Sequence, residues 1–208
     1  MKRPALVAAA AVALVILAAA GYWMRGVAKQ HADQGRIISL LGDTTGQLRQ
    51  ALAPQAEASL VQGIDANLKA VPSGSSELAE AAELYIVNAR EIARRRVESE
   101  RLEQDAAASR TALAAHMARG GRRNAAWFNG AMELKKRVER EHSDLDVTLK
   151  ALDQLLYELP ESEKQLAPHV PPTALLDAAS REAARREAQL EAKRATAALQ
   201  RARDLALR

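Results

Sequence analysis

The chain has 208 residues, no cysteine and a formal net charge of +4, and aromatic residues make up only 3% of it. Lacking cysteine, it has no disulfide framework, thiolate metal site or cysteine nucleophile. Lys2, Arg3 and Arg25 are the only charged side chains in the first 25 residues, and the rest holds 27 basic against 26 acidic groups. A near-neutral body with few aromatic platforms excludes nucleic acid as the expected partner.

Alanine occurs 46 times and leucine 27 times. Both are strong helix formers, whereas strands favour β-branched and aromatic residues. The expected fold is all-α: an N-terminal transmembrane helix followed by a long antiparallel helical bundle or coiled coil of three to four helices.

Residues 1–25 read as a signal-anchor. Pro4 to Met24 are 21 residues without a charge, about 31 Å as a helix and close to the hydrocarbon thickness of a bilayer. Tyr22 and Trp23 then stand where an aromatic belt belongs, with Arg25 just outside, so these three are the expected membrane-interface residues. The competing reading takes Ala5 to Leu17 as the apolar region of a signal peptide, cut after Ala20 at the Ala18-x-Ala20 site and releasing a secreted body. The apolar length and aromatic flank favour the anchor, with the bilayer contacted through residues 4–24. A signal-like N-terminus points to a single pass through a bacterial inner membrane with the body in the periplasm. The basic residues divide almost evenly between the two sides, which leaves a cytoplasmic body as the alternative.

A helical bundle is expected over 26–159, with helices near 26–71, 76–119 and 122–159. In the first, Ile38, Leu41, Thr45, Leu48 and Leu52 alternate steps of three and four, which keeps one face apolar. Pro54 removes a backbone donor and should kink or break it, and the stripe resumes out of phase as Leu60, Ile64, Leu68 and Val71. Gly42 and Gly46 would allow close helix approach or weaken the helix. Pro72 to Ser76 reads as a turn, with Ser76 as N-cap and Glu77 and Glu80 favoured in the first turn.

In the second helix Leu78, Tyr85, Ile92, Ser99, Ala106 and Leu113 recur every seven residues, facing a neighbour along its length. Arg94, Arg95 and Arg96 among Glu91, Glu98 and Glu100 read as a mixed-charge face. Gly120-Gly121 ends this helix. The third carries the clearest stripe: Phe128, Ala131, Lys135, Val138, His142, Leu145, Leu149, Leu152, Leu156 and Leu159. Pro160 should close it, and 160–172 reads as a proline-containing linker. A charged amphipathic helix over 173–208, capped by Thr173, is expected to pair Asp177 with Arg181 and Glu182 with Arg186. Its sparse leucines suggest a loosely held helix. Short connections make neighbours antiparallel, which would return the C-terminus, with Arg201, Arg203 and Arg208, to the bilayer.

No reactive constellation emerges, so the expectation is no enzyme, no catalytic residues, no cofactor and no metal. Glu139-x-x-His142 matches half of a di-metal bundle motif, but no second copy exists. There is no Gly-x-Ser-x-Gly turn, and "GDTTGQ" lacks the lysine and spacing of a phosphate loop. Met117, Trp127, Phe128 and Met132 gather scarce large apolar side chains around the turn near 120. They seal the bundle end or form a partner-docking patch, expected to face the membrane beside Ile37 and Ile38.

The function these features favour is a non-enzymatic, membrane-anchored helical interaction or scaffold subunit of the bacterial envelope. Its partners would be other membrane or envelope proteins or further copies of itself. The alternative is a periplasmic helical-bundle ligand sensor that signals through a partner membrane protein.

Overall fold

The computed structural model describes residues 3–72, 76–119 and 124–205; the side chains of 3–21, 25 and 26 lie outside the description. The described chain is helical, in the order α1 (Arg3–Leu52), α2 (Ala58–Ala70), α3 (Glu77–Ala118), α4 (Ala125–Leu166), a 3-10 turn (Pro172–Ala174) and α5 (Ala178–Asp204). Among the described residues no helix is long and apolar enough to cross a membrane. The anchor expected over residues 4–24 falls almost wholly outside the described side chains, as does Arg25. What is described there is backbone: α1 runs unbroken through the expected boundary at residue 25.

The bundle helix expected over 26–71 is two helices. Pro54 cannot donate to a helical ladder, and α1 ends at Leu52. Gln55 then takes a left-handed backbone (φ 65°), a conformation that a non-glycine residue adopts at some cost, and its N–H donates to the Glu100 carboxylate at 3.0 Å. The chain reverses here. Asn67 of α2 donates back to Thr44 and Gln47 of α1, so α1 and α2 form an antiparallel hairpin.

That reversal changes the orientation of everything downstream. With one more turn than expected, α3 runs parallel to the C-terminal part of α1: Thr45 lies beside Tyr85, and Gln55 beside Glu100. Helix α4 returns antiparallel and α5 runs antiparallel to α4, with Glu163 beside Arg181, Asp146 beside Thr196, and Lys135 beside Leu205. The α3–α4 turn and the described end of α5 therefore lie at the end of the bundle opposite the N-terminus of α1. The expectation that the docking patch sits beside Ile37 and Ile38 is overturned, and so is the return of Arg201 and Arg203 to the bilayer; Arg208 lies outside the described residues.

Two clusters form the core. The larger runs from Ile37 through Tyr85 and Ile92 to Leu149, Leu156 and Leu166, and the smaller joins Leu113, Val138 and Ala202. Every heptad position expected of α3 is buried except Leu78, which is half-buried against the core. The α4 stripe also holds, but it does not stop at Pro160. That proline lies inside α4, because Leu156 and Leu159 before it and Ser162 and Leu166 after it are all buried on one face. Burying a leucine contributes about 1.5–3 kcal/mol, enough to offset one missing hydrogen bond and a ring clash. Residues 160–172 are accordingly no loose linker. Val170, Ala174, Leu175 and Leu176 continue into the core.

The caps follow from short polar side chains. Ser76 accepts from Ala79 N as expected, Asn124 accepts from Trp127 N, and Asp177 accepts from Ser180 N. Helix α5 thus starts at Asp177 rather than Thr173, since a carboxylate at an N-cap satisfies orphan donors and faces the positive end of the helix. The backbone N–H of Ser180 holds the Asp177 carboxyl below the usual range. Asp177 is consequently not paired with Arg181, which reaches Glu163 instead, while the Glu182–Arg186 pair forms.

Candidate functional site

The four residues expected to form a docking patch all lie at the distal end, where Trp127 and Phe128 touch while Met117 and Met132 go separate ways. Trp127 is held by geometry on both sides: its N–H is the one capped by Asn124, and its carbonyl accepts from His116 Nε2 at 3.0 Å. The His116 and Trp127 rings stack with centroids 5.4 Å apart, and Phe128 meets Trp127 edge-on at 5.0 Å. Such aromatic pairs add to the area they bury. Gly130 allows this approach, because a Cβ there would lie 3.0 Å from His116 Cε1. Met117 turns inward and packs on Leu113, Val138 and Ala202. Met132, one turn after Phe128, stays 43% exposed. The patch is thus half plug and half surface.

A groove of about 390 Å³ opens beside it between α3 and α5, floored by Leu113, Val138 and Ala202 and bordered by Met117 and Leu205. Lys135 Nζ donates to the carbonyls of Arg203 and Leu205 at 2.9 and 2.8 Å. These are unsatisfied carbonyls at the negative end of α5, where a cation is favourable. The polar residue in the α4 stripe therefore pins the last turn of α5.

At the other end Tyr22 and Trp23 are 84% and 69% exposed, and Met24 is exposed beside them. Met24 and residues 27–36 are largely uncovered, and Ile37 is the first buried residue of the helix among the described side chains. Gly42 and Gly46 face open space where a Cβ would meet nothing, so no close helix approach occurs there among the described residues.

Sequence reasoning missed Arg96. Its neighbours Arg94 and Arg95 lie on the mixed-charge face with Glu91 and Glu98, but Arg96 is buried. Its guanidinium reaches Glu187 and Glu191 of α5 at 3.1 Å each and Glu100 at 3.4 Å. Glu100 also receives the Gln55 N–H, so Arg96 links the Pro54 bend to α5 through one side chain. Burial raises the Glu191 carboxyl above its ordinary range despite Arg96. The signal was present in the register: Arg96 follows Ile92 and Ala93 by four and three residues, on the core face.

His142 is also buried, and its Nδ1–H donates to the Val138 carbonyl at 2.8 Å. Glu139, the other half of the suspected metal motif, pairs with Lys135 at 3.9 Å. Among the described residues no three metal-ligating side chains converge. Comparison with protein families, curated proteins and solved structures finds no match to this chain.

Proposed function

We propose that the chain is a membrane-anchored helical subunit that acts through protein partners in the bacterial envelope and transforms no substrate. The observation carrying this reading is the exposed stretch of α1. Residues 24–36 join the apolar N-terminal run to the bundle as one continuous helix, about 20 Å of rigid spacer. Tyr22 and Trp23 are large amphipathic side chains left uncovered at its base, and the membrane–water interface is where such residues are most favourable. The chain then spans the inner membrane once, with its body in the periplasm.

With α1 along the membrane normal, the distal surface of Phe128, Met132 and the α3–α5 groove stands about 80 Å from the bilayer. A partner using that surface is met far from the lipid, so the contacting part is an envelope protein or an extramembrane domain. A C-terminal reporter fusion combined with N-terminal sequencing tests the anchor: a periplasmic reporter on a chain that retains residues 1–20 is expected. A mature soluble chain beginning at Gly21 overturns it. Crosslinking in native membranes followed by co-purification tests the partner, and a clean monomer overturns that half of the reading.

A further inference from the structure

The distal half of the bundle is three helices packed through alanine, and it is not filled. A cleft of about 140 Å³ lies among α3, α4 and α5, with Ala106 and Ala195 contributing to its apolar lining. That is room for a molecule of roughly ten non-hydrogen atoms at about one water per 10–15 Å³. His142 lines it while 98% buried, being 2% exposed. Because Nδ1 carries the proton given to Val138, the neutral ring presents Nε2 as an acceptor. Nε2 makes no hydrogen bond among the described residues and is accessible rather than sealed, so a small polar molecule in the cleft can reach it.

The cleft is also charged in a particular way. Arg110 of α3 and Arg194 of α5 line it and are exposed, as is Glu103 of α3, and Glu191 of α5 also lines it with its carboxylate engaged by Arg96. Arg110, Arg194 and Glu103 have no ion pair or side-chain hydrogen bond among the described residues, whereas most charged neighbours on the same helices are paired. Two free guanidiniums suit a carboxylate, which they bind by forked, charge-assisted hydrogen bonds. A free carboxylate and an imidazole acceptor suit an ammonium group.

The geometry points to a binding site for a small zwitterion, an α-amino acid or a molecule of that size and charge pattern. Its carboxylate lies between Arg110 and Arg194, and its ammonium toward Glu103 and His142 Nε2. The cleft adjoins the distal α3–α5 groove and shares Arg110 with it, but small-ligand binding there does not depend on the anchor or on a protein partner. A ligand bound there bridges α3 and α5, which meet in this region through the Arg96 ion pairs and the small distal cluster, so occupancy ties α5 to the bundle.

The test uses the full chain in detergent micelles, titrated with each of the standard amino acids while the melting temperature is followed. At least one is expected to raise it, since a ligand that binds only the folded state stabilises by mass action. Acetate and methylammonium, which carry one charge each, should do less. Arg110 and Arg194 are exposed, so the double variant Arg110→Ala/Arg194→Ala should fold, and it should bind at least tenfold more weakly. No shift with any amino acid overturns the proposal, and so does a shift that the double variant retains in full.

Discussion

Tyr85 Oη donates to Thr45 Oγ1 across 2.8 Å between α3 and α1. The direction is fixed by the surroundings. Thr45 has one hydroxyl proton, and it goes to the Ala174 carbonyl at 2.8 Å; the hydrogen bond to Tyr85 must then be supplied by the tyrosine. Tyr85 in turn accepts from Leu176 N–H at 3.1 Å. One ordered chain of hydrogen bonds thus joins α1, α3 and the 172–176 segment, with Thr45 and Tyr85 both 0% exposed. Burial lifts the Tyr85 hydroxyl to about 12, so it stays a donor at any ordinary pH.

Tyr85→Phe should therefore destabilise the fold by about 1–3 kcal/mol, because Leu176 N–H and Thr45 Oγ1 each lose a partner in a dry place. The melting temperature should fall by roughly 2–4 °C per kcal/mol. Thr45→Val combined with Tyr85→Phe should cost less than the two single changes added, since each leaves the other group unsatisfied. Strict additivity in denaturant titrations would contradict the network.

Pro160→Ala should stabilise the protein by about 1–2 kcal/mol. Alanine restores the donor to the Leu156 carbonyl and removes the ring clash, a gain of about 3 kcal/mol in a helix interior. The looser unfolded chain takes back roughly 0.4–1 kcal/mol, and the helix has already partly relaxed around the ring. Urea unfolding midpoints at constant slope measure it, and a midpoint below that of the parent would show that the proline itself serves the packing of Leu166 and Val170.

Periodic burial was legible in the sequence and topology was not. The three-four spacing of α4 from Ala131 to Leu159 and the seven-residue repeat of α3 both describe what is buried, because a continuous apolar face has one way to leave water. Pro54 and Pro160 look alike locally and behave oppositely. Beyond Pro54 the stripe shifts phase, so continuing the helix would expose it; beyond Pro160 the stripe stays in phase through Leu166, so continuing buries more. The phase shift beyond Pro54 is visible in the sequence, but a shift alone does not distinguish a kink from a reversal, and it is the reversal that sets the distal placement of Met117, Trp127, Phe128 and Met132. The paired use of Arg96 depends on Glu187 and Glu191, some ninety residues away, which no local pattern reports.

Arg96→Met should cost about 3 kcal/mol and loosen α5 selectively. Removing one partner of a buried ion pair leaves the other charges desolvated, here Glu191 and Glu100, which are mostly buried. The buried apolar side chains of α5 are all alanines, and its other side-chain bonds, from Arg185 and Gln189 to Asp153 and from Thr196 to Asp146, run to α4, so Arg96 is what ties its middle to α3. Hydrogen exchange should speed up over residues 184–200 more than over α3 or α4. Equal loss across all helices would mean that Arg96 supports the whole bundle rather than the α3–α5 contact.

Glu163 and Glu191 set a pH dependence of unusual sign. Burial raises both carboxyls above their ordinary range, with Arg181 and Arg96 only partly compensating. The folded state then binds protons more readily than the unfolded chain, so their contribution to stability falls as pH rises through the raised values and is fully present below the ordinary glutamate range. Mild acidification from neutrality should therefore stabilise the protein. Asp177 and Glu91 act in the opposite sense, but their lowered values place that loss at more acidic pH. Glu163→Gln with Glu191→Gln should flatten the slope in urea titrations between neutral pH and the glutamate range. A slope unchanged in the double variant would remove these two groups as its source.

Met132→Glu separates docking from folding. The side chain is exposed at the distal end, and exposed substitutions usually change stability by no more than about 0.5 kcal/mol. A partner that covers Phe128 and the Leu113–Val138–Ala202 groove would instead have to bury an unpaired carboxylate, which is costly at the centre of an interface. Crosslinked partner recovered from native membranes should drop by tenfold or more while the melting temperature stays near the parent value. The same charge at Val147, which is exposed on α4 away from this end, should leave recovery unchanged. Equal losses for Met132→Glu and Val147→Glu, or none for either, would place the contact elsewhere on the bundle.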